Sequence, residues 1–302
     1  MSVAFGIPEI DYTGYSNRQL AAVPLAMLAV ALLVVGGWYV ATGAPVEPGI
    51  EFTGGTELRL SVDAPSDEAA RERIRAAFSV EPEAIRSVPS DDTYIVTFQT
   101  EDLSGAAFEG QSPTAALERQ ARQAGFGVEA SFAVSPNFGE RTQFLALAGV
   151  AVAFLGMSAL VFLMFRTFVP SIAVVISAFS DIVIPVALMN LLGIELTLGT
   201  VAALLMLIGY SVDSDILLNN HVLRRSGDFY ESVRRAMRTG VTMTLTSLAA
   251  MVVMTVVATL FGIQLLSAIG TVLVFGLTAD LMNTYMLNLS LLRWYKFEGV
   301  AR

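Results

Sequence analysis

Cysteine is absent from this 302-residue sequence, which excludes disulfides, thiolate metal sites and cysteine nucleophiles. Histidine occurs once, at His221, so a multi-histidine metal centre is excluded too. Lysine also occurs once: seventeen of the eighteen basic residues are arginine, and Lys296 is the exception. Charge of either sign is scarce, at 15% of residues against 54% hydrophobic. A soluble domain carries about a quarter charged residues, so the composition points to a membrane protein rather than a cytosolic enzyme. No G-x-x-x-x-G-K-[ST] run is present to cradle a nucleotide. No catalytic residue, cofactor or metal is expected from these inventories.

The scarce charge is unevenly placed. Residues 41–142 hold 17 acidic and 8 basic side chains and so carry the whole net charge of −9; the remainder holds 10 of each. Such an acidic segment repels phosphates, which argues against nucleic-acid binding. An acidic, lysine-poor exposed domain suits a high-salt environment, and drift in a GC-rich genome explains it equally well.

Six apolar stretches reach the length of about 20 residues that a spanning helix needs. They lie near 20–40, 144–165, 170–192, 197–219, 240–262 and 265–291. Tight hairpins are expected around Arg166, Glu195 and Gly262; the long excursions are 41–143 and 220–239. Arginine and lysine set orientation. Arg18, Arg166, Arg224, Arg225, Arg234, Arg235, Arg238, Arg293, Lys296 and Arg302 fall on one side of six spans, and the loops around Glu195 and Gly262 hold none. Both termini are therefore placed in the cytoplasm and the acidic segment outside the cell membrane. The leader carries Glu9 and Asp11 against Arg18, a poor signal-peptide start, so the first span reads as an uncleaved anchor. The expected organisation is 1–43, cytoplasmic N-terminus and first span; 44–140, external domain; 141–302, five further spans with a cytoplasmic loop over 220–239.

The external segment has other periods. Glu57 to Val62 alternates as a half-buried strand does. Ser66 caps a helix over 67–78 with Asp67 and Glu68 in its positive first turn. Residues 84–88 and 93–98 read as strands around a turn at Pro89 to Asp92. Ser112 and Pro113 open a second helix to about Ala124. Gly125 ends it, and 126–134 reads as a last strand. The order βαββαβ is that of a ferredoxin-like α+β domain. Its small hydrophobic content predicts that it leans on a partner or on the span ends. No histidine or cysteine is there to activate a nucleophile.

Carboxylates inside spans are costly and mark a pathway or a paired structural site. Four qualify: Asp181, Asp213, Asp215 and Asp280, and no Lys or Arg lies within a span core to neutralise them. At 1.5 Å per residue, Asp213 and Asp280 lie roughly 24 and 22 Å from the outer boundary. Asp213 and Asp215 are about 200° apart around a helix, so they cannot share a groove. Asp213 shares a face with Gly209 and Asn220. Asp280 shares one with Asn283, Thr284, Leu287 and Asn288. Such stripes must face inward or toward a second protein, because lipid cannot satisfy them. Asp213 is the first candidate for a proton carrier, with Asp280 at its depth, then Asp181 and Asp215. His221 reads as an interfacial helix-end side chain. Arg234, Arg235 and Arg238 fit topology retention, or a contact patch for a protein or anionic membrane lipid.

Two runs carry a family resemblance. Gly49-Ile50-Glu51-Phe52-Thr53-Gly54-Gly55-Thr56, directly after the first span, resembles the G-I-D-F-T-G-G-T signature that opens the external domain of SecF proteins. Gly209-Tyr210-Ser211-Val212-Asp213-Ser214-Asp215 resembles that family's G-Y-S-x-N-D motif. Residues 231–247 look like its linker into the fifth span. The chain is thus identified as resembling archaeal-type SecF, of the RND superfamily. The resemblance implies a SecD partner, a position beside the Sec translocon channel, and help in moving exported polypeptide chains across the membrane. In bacterial members the proton-motive force is linked to span-four carboxylates. The chain departs from the pattern at Glu51 for Asp, at Asp213 and Ser214 for Asn and Asp, at Asn220-His221 for Asp-Arg, and at Thr242 for Arg. Adjacent glycines at 54 and 55 suit either a hinge or close packing. Two other readings share the span plan: a half-size RND-type exporter of small molecules or lipids, and a passive translocon scaffold.

Overall fold

The structure, a computed structural model, describes residues 14–88, 92–100, 103, 112–224 and 228–299. Helix α1 (Asn17–Thr42) is followed by a one-turn helix α2 (Ile50–Thr53). Then come β1 (Gly55–Ser61), α3 (Asp67–Ala77), β2 (Ala84–Ser87), β3 (Thr93–Gln99), α4 (Pro113–Gln123) and β4 (Gly127–Val134). Helices α5 (Pro136–Phe165), α6 (Phe168–Leu192), α7 (Leu198–Arg224), α8 (Phe229–Leu260) and α9 (Gln264–Met282) follow. The last continues through a π-helical turn, Asn283–Asn288, into α10 (Leu289–Trp294) and a second π turn, Tyr295–Gly299. Six helices among the described residues are long and apolar enough to cross a membrane, the sixth running from Gln264 to Glu298.

The small domain has the expected order. Its sheet runs β2-β3-β1-β4 with every neighbour antiparallel. Leu58 and Leu60 of β1 and Val96 and Phe98 of β3 point to one face, where Ile74 of α3 and Leu117 of α4 close a core. The Ser66 hydroxyl accepts from Ala69 N–H at 3.2 Å and so starts α3. Pro113 opens α4, and Gly125 leaves it at φ +84°. The expected turn at Pro89 to Asp92 lies mostly outside the described residues.

In the helical part α6, α7 and α9 pack against one another at the centre, α8 lies on α7 and α9, α1 on α6, and α5 on α6 and α7. The outer helices leave large apolar side chains exposed, among them Phe144, Leu155 and Leu163 of α5 and Val253 and Val256 of α8. Lipid is the solvent that such a surface suits.

Two boundaries differ from the sequence expectation. Much of 220–239, expected as a loop, is helical: α7 runs on to Arg224 and α8 begins at Phe229. Asp228 caps α8 by accepting from Glu231 N–H at 3.3 Å. Phe229, Val233, Ala236 and Met237 bury one face against Leu218, Val222, Leu289 and Leu292, which leaves Arg234, Arg235 and Arg238 exposed. Helix α5 begins at Pro136, well before the expected span, because its first turn packs on α2. A Cβ at Gly139 would stand 2.5 Å from the Phe52 carbonyl oxygen.

Candidate functional site

Three of the four intramembrane carboxylates meet. Asp181 of α6, Asp215 of α7 and Asp280 of α9 are 1%, 0% and 2% exposed. The hydrogen bonds that reach them come from Ser, Thr and Asn. Ser211 Oγ donates to Asp181 Oδ2 at 2.6 Å, and Asn283 Nδ2 to Asp181 Oδ1 at 2.5 Å. Asn288 Nδ2 and Thr284 Oγ1 donate to Asp215 Oδ1 at 2.8 and 2.9 Å. Ser214 Oγ donates to Asp280 Oδ1 at 2.7 Å, with Thr284 Oγ1 3.2 Å from the same oxygen. Asn283, Thr284 and Asn288 all belong to the π turn, where the Leu289 N–H reaches back to the Thr284 carbonyl. Wider i→i+5 turns of this kind recur at functional sites.

Asp213 stands elsewhere. It is exposed on α7, with Gly209, Tyr210 and Asn220 on the same face. The polar stripe thus faces out of this chain, where lipid would leave it unsatisfied and a second protein would not. A groove of about 350 Å³ opens on that face. Asp213, Ser214, Thr244 and Ser247 line it together with Asp280, so the groove joins the exposed carboxylate to the buried cluster. Asp280 and Ser214, the neighbour of Asp213, are bonded, in keeping with the similar depths of Asp213 and Asp280 read from the sequence. His221 lies at the end of α7 with Nδ1 2.8 Å from the Leu217 carbonyl, a local contact away from the cluster.

The glycine-rich run forms the joint between domain and bundle. Gly49 N–H donates to the Leu196 carbonyl at 2.9 Å, and Leu196 N–H to the Glu47 carbonyl at 2.7 Å. Glu51 Oε2 accepts from Leu198 N–H at 2.5 Å, a carboxylate on the N-terminus of α7. Phe52 is 1% exposed, and Thr53 Oγ1 returns to the Gly49 carbonyl at 3.4 Å. Gly54 and Gly55 adopt φ +79° and +155°, and Thr56 pairs with Thr114 at 3.2 Å. The geometry is that of tight packing rather than of a loose hinge. Beside the joint, Arg86 of β2 forms an ion pair with Glu195 in the α6–α7 loop. They border a cleft of about 430 Å³ that Glu57, Phe132 and Leu265 also line.

Burial pushes the Glu57 carboxyl up from its ordinary 4.5, with Arg86 opposing and Glu195 and Glu51 reinforcing the shift. A raised carboxyl binds its proton more tightly folded than unfolded. Its contribution is therefore fully present below pH 4.5 and is lost as pH rises through the folded value. Thermal unfolding of the full chain at graded pH is expected to show that loss, and Glu57→Gln to flatten it. An unchanged slope in Glu57→Gln would reject the assignment.

Among the described residues no three His, Cys, Asp or Glu side chains converge as a metal cage requires. The sequence named all three clustered aspartates. It missed the place of Ser214 in the cluster and the edge contact Arg86–Glu195, for which no local signal exists.

Comparison with known proteins agrees with the geometry. The family model described as protein export membrane protein SecD/SecF, C-terminal, matches residues 116–298, and the SecD/SecF GG motif matches residues 40–66. A protein-export membrane protein SecF of Haloferax volcanii is 74% identical over 99% of this chain and 100% of its own. That of Haloquadratum walsbyi is 70% identical over 99% of each, and that of Methanocaldococcus jannaschii 37% over 93% and 96%. The crystal structure of SecDF from Thermus, a translocon-associated membrane protein, matches with a TM-score of 0.72 at 21% identity. The match covers 98% of this chain but 40% of that one, so this chain spans less than half of its structural neighbour. A GG joint, six apolar helices around a carboxylate cluster, and full-length likeness to archaeal SecF proteins place this chain in the SecD/SecF family of protein-export membrane proteins.

Proposed function

We propose that the chain is the SecF half of a two-chain accessory of the Sec translocon, and that it draws on the proton gradient through its buried carboxylates. It is a membrane transport component rather than an enzyme, with SecD, the translocon channel and exported polypeptides as its partners. One observation carries the coupling: Asp181, Asp215 and Asp280 share a buried site whose hydrogen-bond donors among the described residues, Ser211, Asn283, Thr284, Asn288 and Ser214, are all neutral. A carboxylate without a cation neutralises itself by taking a proton. The groove at Asp213 supplies the approach, and a partner helix over the exposed stripe would seal it. The arginine-rich ends of α7 and α8 support a cytoplasmic side, with the small domain outside.

The test is recovery of a tagged chain from native membrane under mild detergent. SecD is expected with it, and isolation as a lone monomer would overturn the pairing. The absence of cysteine lets single-cysteine variants report orientation in intact cells. Ser66→Cys should react with an impermeant maleimide added outside intact cells, and Arg235→Cys only after lysis.

A further inference from the structure

We propose that the Thr284 hydroxyl is the bridge over which Asp280 and Asp215 exchange a proton. The inference rests on the reading that these carboxylates carry protons, and it names the route between them. Thr284 Oγ1 lies 2.9 Å from Asp215 Oδ1 and 3.2 Å from Asp280 Oδ1. One hydroxyl has one proton and accepting lone pairs, so it donates to one carboxylate while accepting from the other. With the proton on Asp280, the Asp280 O–H donates to Thr284 Oγ1 and the Thr284 O–H donates to the Asp215 carboxylate. Transfer breaks the Asp280 O–H bond and forms a new one at Thr284. The former Thr284 proton passes to Asp215 Oδ1. Asp280 is left charged, Asp215 neutral and Thr284 unchanged.

Each end has a further donor for its charged form, and the one at Asp280, Ser214 Oγ, also lies 3.1 Å from Thr284 Oγ1. Asn288 Nδ2 holds Asp215 Oδ1 at 2.8 Å, and Ser214 Oγ holds Asp280 Oδ1 at 2.7 Å. The bridge is 0% exposed, so no bulk water competes with it. Asp280 borders the groove while Asp215 does not, which places Asp280 at the groove end of the exchange and Asp215 at its inner end. The π turn sets the bridge: it carries Thr284 and Asn288 together onto Asp215, four residues apart. The other ionisable groups around the bridge are Asp181 from α6 and Asp213 from α7. From α8, Thr244 and Ser247 line the groove.

The experiment compares full-length Thr284→Val, Thr284→Ala, Thr284→Ser and Asp215→Asn chains. Three readouts serve: gradient-stimulated export, recovery of SecD, and the infrared carboxyl bands after a pH jump. Thr284→Val and Thr284→Ala should lower gradient-stimulated export by about a hundredfold, the lower end of what a positioned proton-transfer group contributes. Both should still recover SecD. Thr284→Ser, which keeps the hydroxyl, should restore export. In the valine chain the Asp280 band should still respond and the Asp215 band should not. Wild-type export with both bands responding in Thr284→Val would overturn the bridge while leaving the carboxylates as carriers. Equal loss in the serine and valine chains would overturn it in favour of packing. Unaltered, gradient-sensitive export in Asp215→Asn would remove the carrier reading and the bridge together.

Discussion

A Gly55→Val chain is expected to insert all its spans and still lose export, with its external domain opened to protease. Gly55 sits at φ +155° and Gly54 at φ +79°, conformations that L side chains rarely adopt. A Cβ on Gly55 would run into the Phe98 carbonyl of the neighbouring strand. A Cβ on Gly54 would stand 2.8 Å from Pro136 N and from Thr100 Oγ1. Backbone strain of this kind costs about 1–3 kcal/mol, and overpacking about as much again. The sum is a large share of the ~5–15 kcal/mol by which a domain is stable. The damage falls on one joint, because Gly54, Phe52 and Gly139 meet there and the Gly49–Leu196 pairing follows directly. The segment 41–142 contains eight arginines, so trypsin reports undocking sensitively. Gly149→Ala is the control, since nothing lies within 4 Å of a Cβ there. Wild-type trypsin resistance and export in Gly55→Val would refute the packing role.

The domain was legible because local signals agreed with one another. Ser66 and Ser112-Pro113 marked helix starts, and the alternation at Leu58 and Leu60 marked a buried strand face. Within the segment 220–239, expected as a loop, the helical start at Phe229 was legible from a cap and an apolar face, Asp228 with Glu231 and Phe229 with Val233 and Met237. At the carboxylates, helical period correctly separated Asp213 from Asp215 and grouped Asp280 with Asn283, Thr284 and Asn288. Period fixes which residues share a face, not which face a neighbouring helix covers. Only packing of α6, α7 and α9 shows that the face of Asp215, not that of Asp213, turns inward. The one-turn helix at Ile50–Thr53 is too short for any period to reveal, and its fold depends on the loop at Leu196 and on Gly139.

That reversal sets the second large effect. Asp215→Asn should abolish gradient-stimulated export, whereas Asp213→Asn, at an exposed groove position, should slow it. Asparagine keeps an oxygen to accept from Thr284 and Asn288, which now bond Asp215 Oδ1 at 2.9 and 2.8 Å. Its amide takes the place of Oδ2, on the side of the carboxyl where the Ser177 hydroxyl stands to pair with it. Shape and hydrogen bonding therefore survive while titration is removed, so SecD should still be recovered with the chain. Asp215→Leu removes the acceptor as well. Thr284 can still turn to Asp280 Oδ1 at 3.2 Å, but the buried Asn288 amide is stranded at about 1–3 kcal/mol beside an apolar side chain, and the variant should accumulate poorly and lose its partner. Export rates measured with the membrane potential and the pH gradient collapsed separately distinguish the two kinds of loss. A carrier defect removes the gradient-sensitive part in Asp215→Asn and leaves the basal rate. A packing defect spares Asn and fails in Leu at every gradient. If Asp215→Asn exports at the wild-type rate and still responds to the gradient, the cluster is a structural hydrogen-bond network, and the proton pathway lies outside it.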